Sequence, residues 1–164
     1  WGAWARRDGW SRGYFFGGTF KTRFKSATLA EMGAVANALV WAGRENWLEG
    51  VDIVLVQSDS TGALVTIRDN IVGARENPHA DGLSMADHTS SIADDRTAAK
   101  VLDAIRSAVD LFDLSLEVRH VKGHAGGAHP RSAVNTQCDH IARKNMRLLR
   151  NGSGFGRERD KARS

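Results

Sequence analysis

Hydrophobic positions along the chain change period several times, and each change marks an element. In residues 1–24, "WGAWARR" alternates large and small side chains, Asp8-Gly9 is a turn dipeptide, and "YFFGGTF" resumes a β-rich run. That is the pattern of a β-hairpin. In "SATLAEMGAVANALVWA", Leu29, Met32, Val35, Ala36, Leu39 and Val40 recur at helical spacing. Thr28 and Glu31 have capping-box spacing, which predicts a helix start near Thr28. "VDIVLVQ" (51–57) is a continuous β-branched run, expected of a strand buried on both faces. "STGALVTIRDNIVGA" follows as a shorter helix. Residues 76–95 are acidic and without a period, as in a loop or short broken elements. "RTAAKVLDAIRSAVDLF" then sets Val101, Leu102, Ile105, Ala108, Val109 and Phe112 on one helical stripe. "LSLEVRHV" alternates like a strand, and "SAVNTQCDHIARKNMRLL" reads as a last amphipathic helix. Residues 151–164 hold glycine and charge with one large apolar residue, Phe155, and read as a basic flexible tail. The element order implies one α/β domain with a mixed sheet over residues 1–150, with no internal repeat.

Composition narrows the setting. The chain has 164 residues and 41% hydrophobic content, enough for one core. No run is long and apolar enough for a membrane span. Cys138 is the only cysteine, so neither a disulfide framework nor a cysteine zinc site is expected, and a reducing, cytoplasmic setting follows. The net charge of +4 is unevenly spread. Residues 1–118 carry twelve cations against sixteen acids; residues 119–164 carry eleven against three. Basic ends beside an acidic middle fit a polyanionic partner such as nucleic acid, or a tail that only aids solubility.

Three carboxylates stand out, each with an ordinary structural explanation. Asp59 follows the apolar strand, where ligand sites of α/β sheets lie, yet it also suits a helix N-cap. Glu31 lies in the first turn of its helix, where a capping-box glutamate belongs. Asp139 alone is a surface carboxylate of the last helix. Brought together, the three would repel one another and add little stability. They would suit magnesium, a hard cation that prefers oxygen donors and that, in pairs, activates water against a phosphodiester.

Four segments carry a family resemblance: the "WGAWARRDG…FFGGTF" hairpin, "LAEMGAVANAL", "VLVQSDS" and "VKGHAGG…NTQCDHIAR". Over about residues 1–147 the chain resembles ribonuclease H type 1, within the ribonuclease H-like superfamily. The Lys-Gly-His-Ala-Gly stretch followed by Asn-x-x-Cys-Asp is the most specific part. The resemblance implies a ribonuclease H-like mixed five-stranded sheet flanked by helices. It implies a metal-dependent endonuclease that hydrolyses the RNA strand of RNA–DNA hybrids with two Mg2+ ions, Mn2+ being the alternative metal. Partners would be the hybrid alone, with no small-molecule cofactor and no membrane, and the protein would act as a monomer. Carried over by position, Glu31, Asp59 and Asp139 match three of four acidic metal ligands. His124 matches a mobile-loop histidine that assists proton transfer or product release. Lys122 and Asn135 match motif positions that support that loop or touch the substrate backbone.

The chain also departs from the family pattern. The family's first metal ligand is an aspartate on a first, central strand, and Trp1 already lies inside what matches the second. A sheet without its central strand would leave buried backbone groups unpaired. The expectation is therefore a segment preceding Trp1, or a strand from another chain. Asp8 is a poor substitute, because too few residues separate it from Glu31 for a central strand plus a hairpin. Residues 76–95 are acidic where many members carry a basic, Trp-rich protrusion, so substrate grip would fall to Arg6, Arg7, Arg12, Lys21, Arg23 and Lys25, or to the last helix and tail. Ser26-Ala27 stands where the family often has two amides. Ser26 could still meet a 2′-hydroxyl, which separates RNA from DNA. Ser60 and Thr61 could contact the RNA strand or simply cap a helix.

The remaining residues have plainer expectations. His120 is a packing or surface residue, His129 sits in a turn, Cys138 is a small buried residue, and the five tryptophans pack the core and hairpin, where an exposed one could stack on a sugar or base. Two other functions stay open. One is another ribonuclease H-like nuclease, a resolvase or exonuclease, against which the Lys-Gly-His loop argues. The other is a non-catalytic nucleic-acid-binding or structural module, should the first aspartate be truly absent.

Overall fold

A computed structural model describes residues 1–77, 96–121 and 130–150. In chain order the elements are β1 (Gly2–Ala5), β2 (Tyr14–Gly17), α1 (Ala27–Arg44), β3 (Ile53–Ser58), α2 (Thr61–Asn70), β4 (Arg75–Glu76), α3 (Arg96–Phe112), β5 (Ser115–His120) and α4 (Pro130–Arg150). The fold is mixed α/β. The acidic stretch beyond Asn77 and the tail 151–164 lie outside the described residues.

Instead of one mixed sheet there are two. β1 and β2 form an antiparallel pair, with Gly2 opposite Gly17 and Ala5 opposite Tyr14. β3, β5 and β4 form a parallel sheet in the order β3-β5-β4. Ile53 pairs with Ser115 and Ser58 with His120. β4 is only two residues long, too short to leave a period in the sequence.

α1 starts beside Thr28 as expected, but its cap and the burial of β3 differ from the expectation. α1 begins at Ala27 with Ser26 as its N-cap, the Ser26 hydroxyl accepting from the Leu29 amide at 3.2 Å. Thr28 is thus inside the helix, and Glu31 is too far along to serve a capping box. β3, expected to be buried on both faces, is only half-buried: Ile53 is 49% exposed, and Val54, Leu55 and Val56 are intermediate. The reason is its place at an edge, paired with β5 alone among the described residues.

The core lies between the helices and the parallel sheet. Met32 and Leu39 of α1, Leu64 and Ile67 of α2, and Ile105 of α3 close over Leu116 and Val118 of β5. This is the apolar stripe of α3 predicted from its spacing. The hairpin is held separately, between α1 and α4. On one face Phe16 stacks on Trp41 with centroids 4.0 Å apart. On the other, Gly2 lies so close to the Cys138 carbonyl that any Cβ would overlap it. Arg7, past the end of β1, donates to the Glu49 carbonyl just before β3, at 2.9 Å. The start of β1 lies near Glu31 instead, whose carboxyl senses the Trp1 amine. β1 therefore runs counter to β3, and each has an edge without a partner strand among the described residues. No described helix is long and apolar enough to cross a membrane.

Candidate metal-binding site

Glu31 projects from the second turn of α1 into a half-buried position. Burial pushes its carboxyl above the ordinary carboxylate range, and the charges of Asp59 and then Asp139 push it further. The Trp1 amine and a hydrogen bond with Ser58 pull it back. Glu31 of α1 thus feels the charges of Asp59 in the β3–α2 turn and of Asp139 on α4.

The β3–α2 turn is built to present Asp59. Ser60, not Asp59, is the N-cap of α2, its hydroxyl accepting from the Ala63 amide at 3.4 Å. Ser58 is buried, and its hydroxyl accepts from the Ser60 amide at 3.0 Å. Neither cap uses the Asp59 side chain, whose carboxylate instead accepts from Asn135 Nδ2 of α4 at 2.8 Å. The capping explanation of Asp59 thus falls away, as it did for Glu31. Ser60 does cap, and so does the exposed Ser26. Thr61 Oγ1 lies 3.2 Å from His120 Nε2. The starts of α1 and α2 meet where Thr28 packs against Gly62, which sets Ser26, Ser60 and Thr61 around one rim.

Asp139 sits half-buried on α4 beside Cys138. Burial, then Asp139, then Glu31 push the Cys138 thiol up to about 12. Lys122 and His124 lie outside the described residues, as does His129. Lys21, Arg23 and Lys25 are exposed in the segment that leads into Ser26. Arg6 and Arg12 are exposed around the hairpin tip, where Arg7 reaches Glu49, at the opposite pole. Trp10, 39% exposed at that pole, packs edge-on against Tyr14 and Trp47.

Two residues escaped the sequence reading. Ser58 binds Glu31 and braces the turn; its only signal was its place just before Asp59. His120, expected as a packing or surface residue, has its ring 3.2 Å from the Asp59 carbonyl. A histidine at the last position of a parallel strand, beside an aspartate-bearing turn, was the available clue.

The donor set suits a hard divalent cation: three carboxylates, with a serine and an amide beside them. Among the described residues no group of three His, Cys, Asp or Glu stands close enough to hold a metal ion as it is. No protein-family model, no curated protein and no solved structure matches the chain.

Proposed function

We propose that the protein is a divalent-metal-dependent nuclease of the ribonuclease H type that hydrolyses the RNA strand of RNA–DNA hybrids. One observation carries this reading: Asp59, just after β3, plays no part in capping and is held instead by Asn135 of α4 at 2.8 Å, with the charges of Asp59 and Asp139 both felt at Glu31. A fold gains nothing in stability from such repulsion, and a cation would turn it into attraction.

In this reading Glu31, Asp59 and Asp139 would hold Mg2+, or Mn2+ in its place. The metal, when bound, supplies an activated water and charge neutralisation at the scissile phosphate. The chain's own residues do the rest. Asn135 holds the Asp59 carboxylate in place. Ser26, Ser60 and Thr61 line the rim where sugar hydroxyls and phosphates of the RNA strand would lie. Lys21, Arg23 and Lys25 give that rim positive charge. Lys122 and His124 belong to the reading through the family motif, His124 as the proton-transfer group. The family's fourth carboxylate would come from an additional strand lying between β1 and β3. What supports this is the mismatch at β3, whose "IVLV" core is that of a central strand although it stands at an edge. Such a strand would run parallel to β3 and antiparallel to β1.

The test is incubation with a labelled RNA–DNA hybrid, duplex RNA and branched DNA in Mg2+. Cleavage confined to the RNA of the hybrid, leaving 5′-phosphates and abolished in Asp59→Asn at unchanged melting temperature, supports the reading. Full activity in Asp59→Asn overturns it. Cleavage of branched DNA instead would favour a resolvase.

A further inference from the structure

Asp59 is fixed from two sides, and only one of them belongs to the proposed motif. Asn135 holds its carboxylate. Its main chain is held by His120, the last residue of β5, which stands opposite Ser58 in the parallel register. His120 Nε2 lies 3.2 Å from the Asp59 carbonyl oxygen and 3.2 Å from Thr61 Oγ1. A carbonyl oxygen can only accept, so the ring nitrogen facing it carries the hydrogen, and the Thr61 hydroxyl serves as its second acceptor. The half-buried ring therefore bridges both sides of Ser60, the cap of α2. Backbone bonding completes the clamp, because the Val121 amide donates to the Ser58 carbonyl at 3.0 Å. The turn that carries Asp59 is thus tied to the end of β5 both before and after Asp59.

We propose that His120 is a positioning residue for the metal site: its Nε2–H pins the Asp59 main chain so that the carboxylate is preset for the cation. This rests on the nuclease reading above. A group that orients a ligand without touching the metal governs metal affinity, and removing such a partner typically weakens affinity about 10–100-fold. The effect should fall on metal binding, since His120 holds the Asp59 main chain, while its contact with the Thr61 hydroxyl reaches the proposed RNA rim as well.

Three proteins decide it: the wild type, His120→Phe, which keeps a ring but has no donor, and His120→Gln, whose amide can reach the same acceptors. Mn2+ binding is measured by calorimetry without substrate, and hybrid cleavage is followed across a Mg2+ titration. In His120→Phe the Mn2+ dissociation constant and the half-saturating Mg2+ both rise about tenfold. His120→Gln restores most of the loss. If His120→Phe does not fold, His120→Asn, too short to reach Asp59, should show the same shift. Wild-type metal affinity in the Phe or Asn variant, or a Gln variant as weak as Phe, overturns the positioning role while leaving the nuclease reading standing. A wild type that neither binds Mn2+ nor cleaves hybrid overturns both.

Discussion

The Asn135–Asp59 contact offers a sharp test of how the carboxylates are held. Replacing Asn135 with Asp keeps the shape but sets an acid where a donor stood. Asn135 Nδ2 is 2.8 Å from Asp59 Oδ2. Losing a hydrogen bond to a charged group costs about 1.5–3 kcal/mol. Two unit charges 2.8 Å apart at an effective dielectric of about 20 repel by roughly 6 kcal/mol, a ceiling that rotation of the half-buried side chains and entry of water lower to about 2–3. Asn135→Asp should therefore lose about 3.5–6 kcal/mol in metal-free buffer at about pH 8. Asn135→Ala should lose only about 1 kcal/mol, because the Asp59 oxygen regains water. Urea unfolding followed by circular dichroism, repeated towards about pH 4, measures both. The gap between the variants should close in acid, as one carboxyl takes up a proton. Equal stability of the two variants at about pH 8, or a gap that persists in acid, would refute the reasoning.

Glu31→Gln should behave in the opposite sense. The Glu31 carboxyl is raised in the fold by burial and by Asp59 and Asp139. Its stabilising contribution is present below the ordinary carboxyl range and lost as pH rises through the raised value. The variant, which cannot ionise, should melt higher than the wild type near neutral pH without metal, and the advantage should vanish in acid; scanning calorimetry against pH checks this. Gly2→Ala drives a methyl into the Cys138 carbonyl and should cost about 1–3 kcal/mol in urea unfolding. Gly9→Ala, at a φ of 80° with open space around it, should cost about 1 kcal/mol in the same measurement. Cys138, its thiol pushed up to about 12 from an ordinary 9.0, should alkylate roughly a thousandfold more slowly in the native protein than in urea, as read by mass spectrometry.

Period and composition made much of the fold legible. α3 matches its predicted span because its apolar stripe is unbroken, and β5 matches because alternation ends cleanly at both sides. The start of α1 lies where expected but its cap does not, because two hydroxyl residues, Ser26 and Thr28, compete for the cap, and only backbone geometry decides between them. The edge position of β3 could not be read from "VDIVLVQ", since burial depends on neighbours supplied by distant parts of the chain. At the site, Glu31, Asp59 and Asp139 each have an ordinary local explanation in the sequence, and only as a set do they point to a cation. Their supports are harder to read. Asn135 was noted through its motif, while Ser58 and His120 act through contacts across β3, α1 and β5 that no local pattern encodes.

The central claim is that Glu31, Asp59 and Asp139 together hold a divalent cation. It is tested most directly by calorimetric Mn2+ titration of the wild type and of Glu31→Gln, Asp59→Asn and Asp139→Asn, with Mg2+ as competitor. The wild type should bind Mn2+ and release it to excess Mg2+, and each single variant should lose most of that affinity while remaining folded. A triple variant lacking all three carboxylates that still bound Mn2+ as the wild type does would contradict the claim.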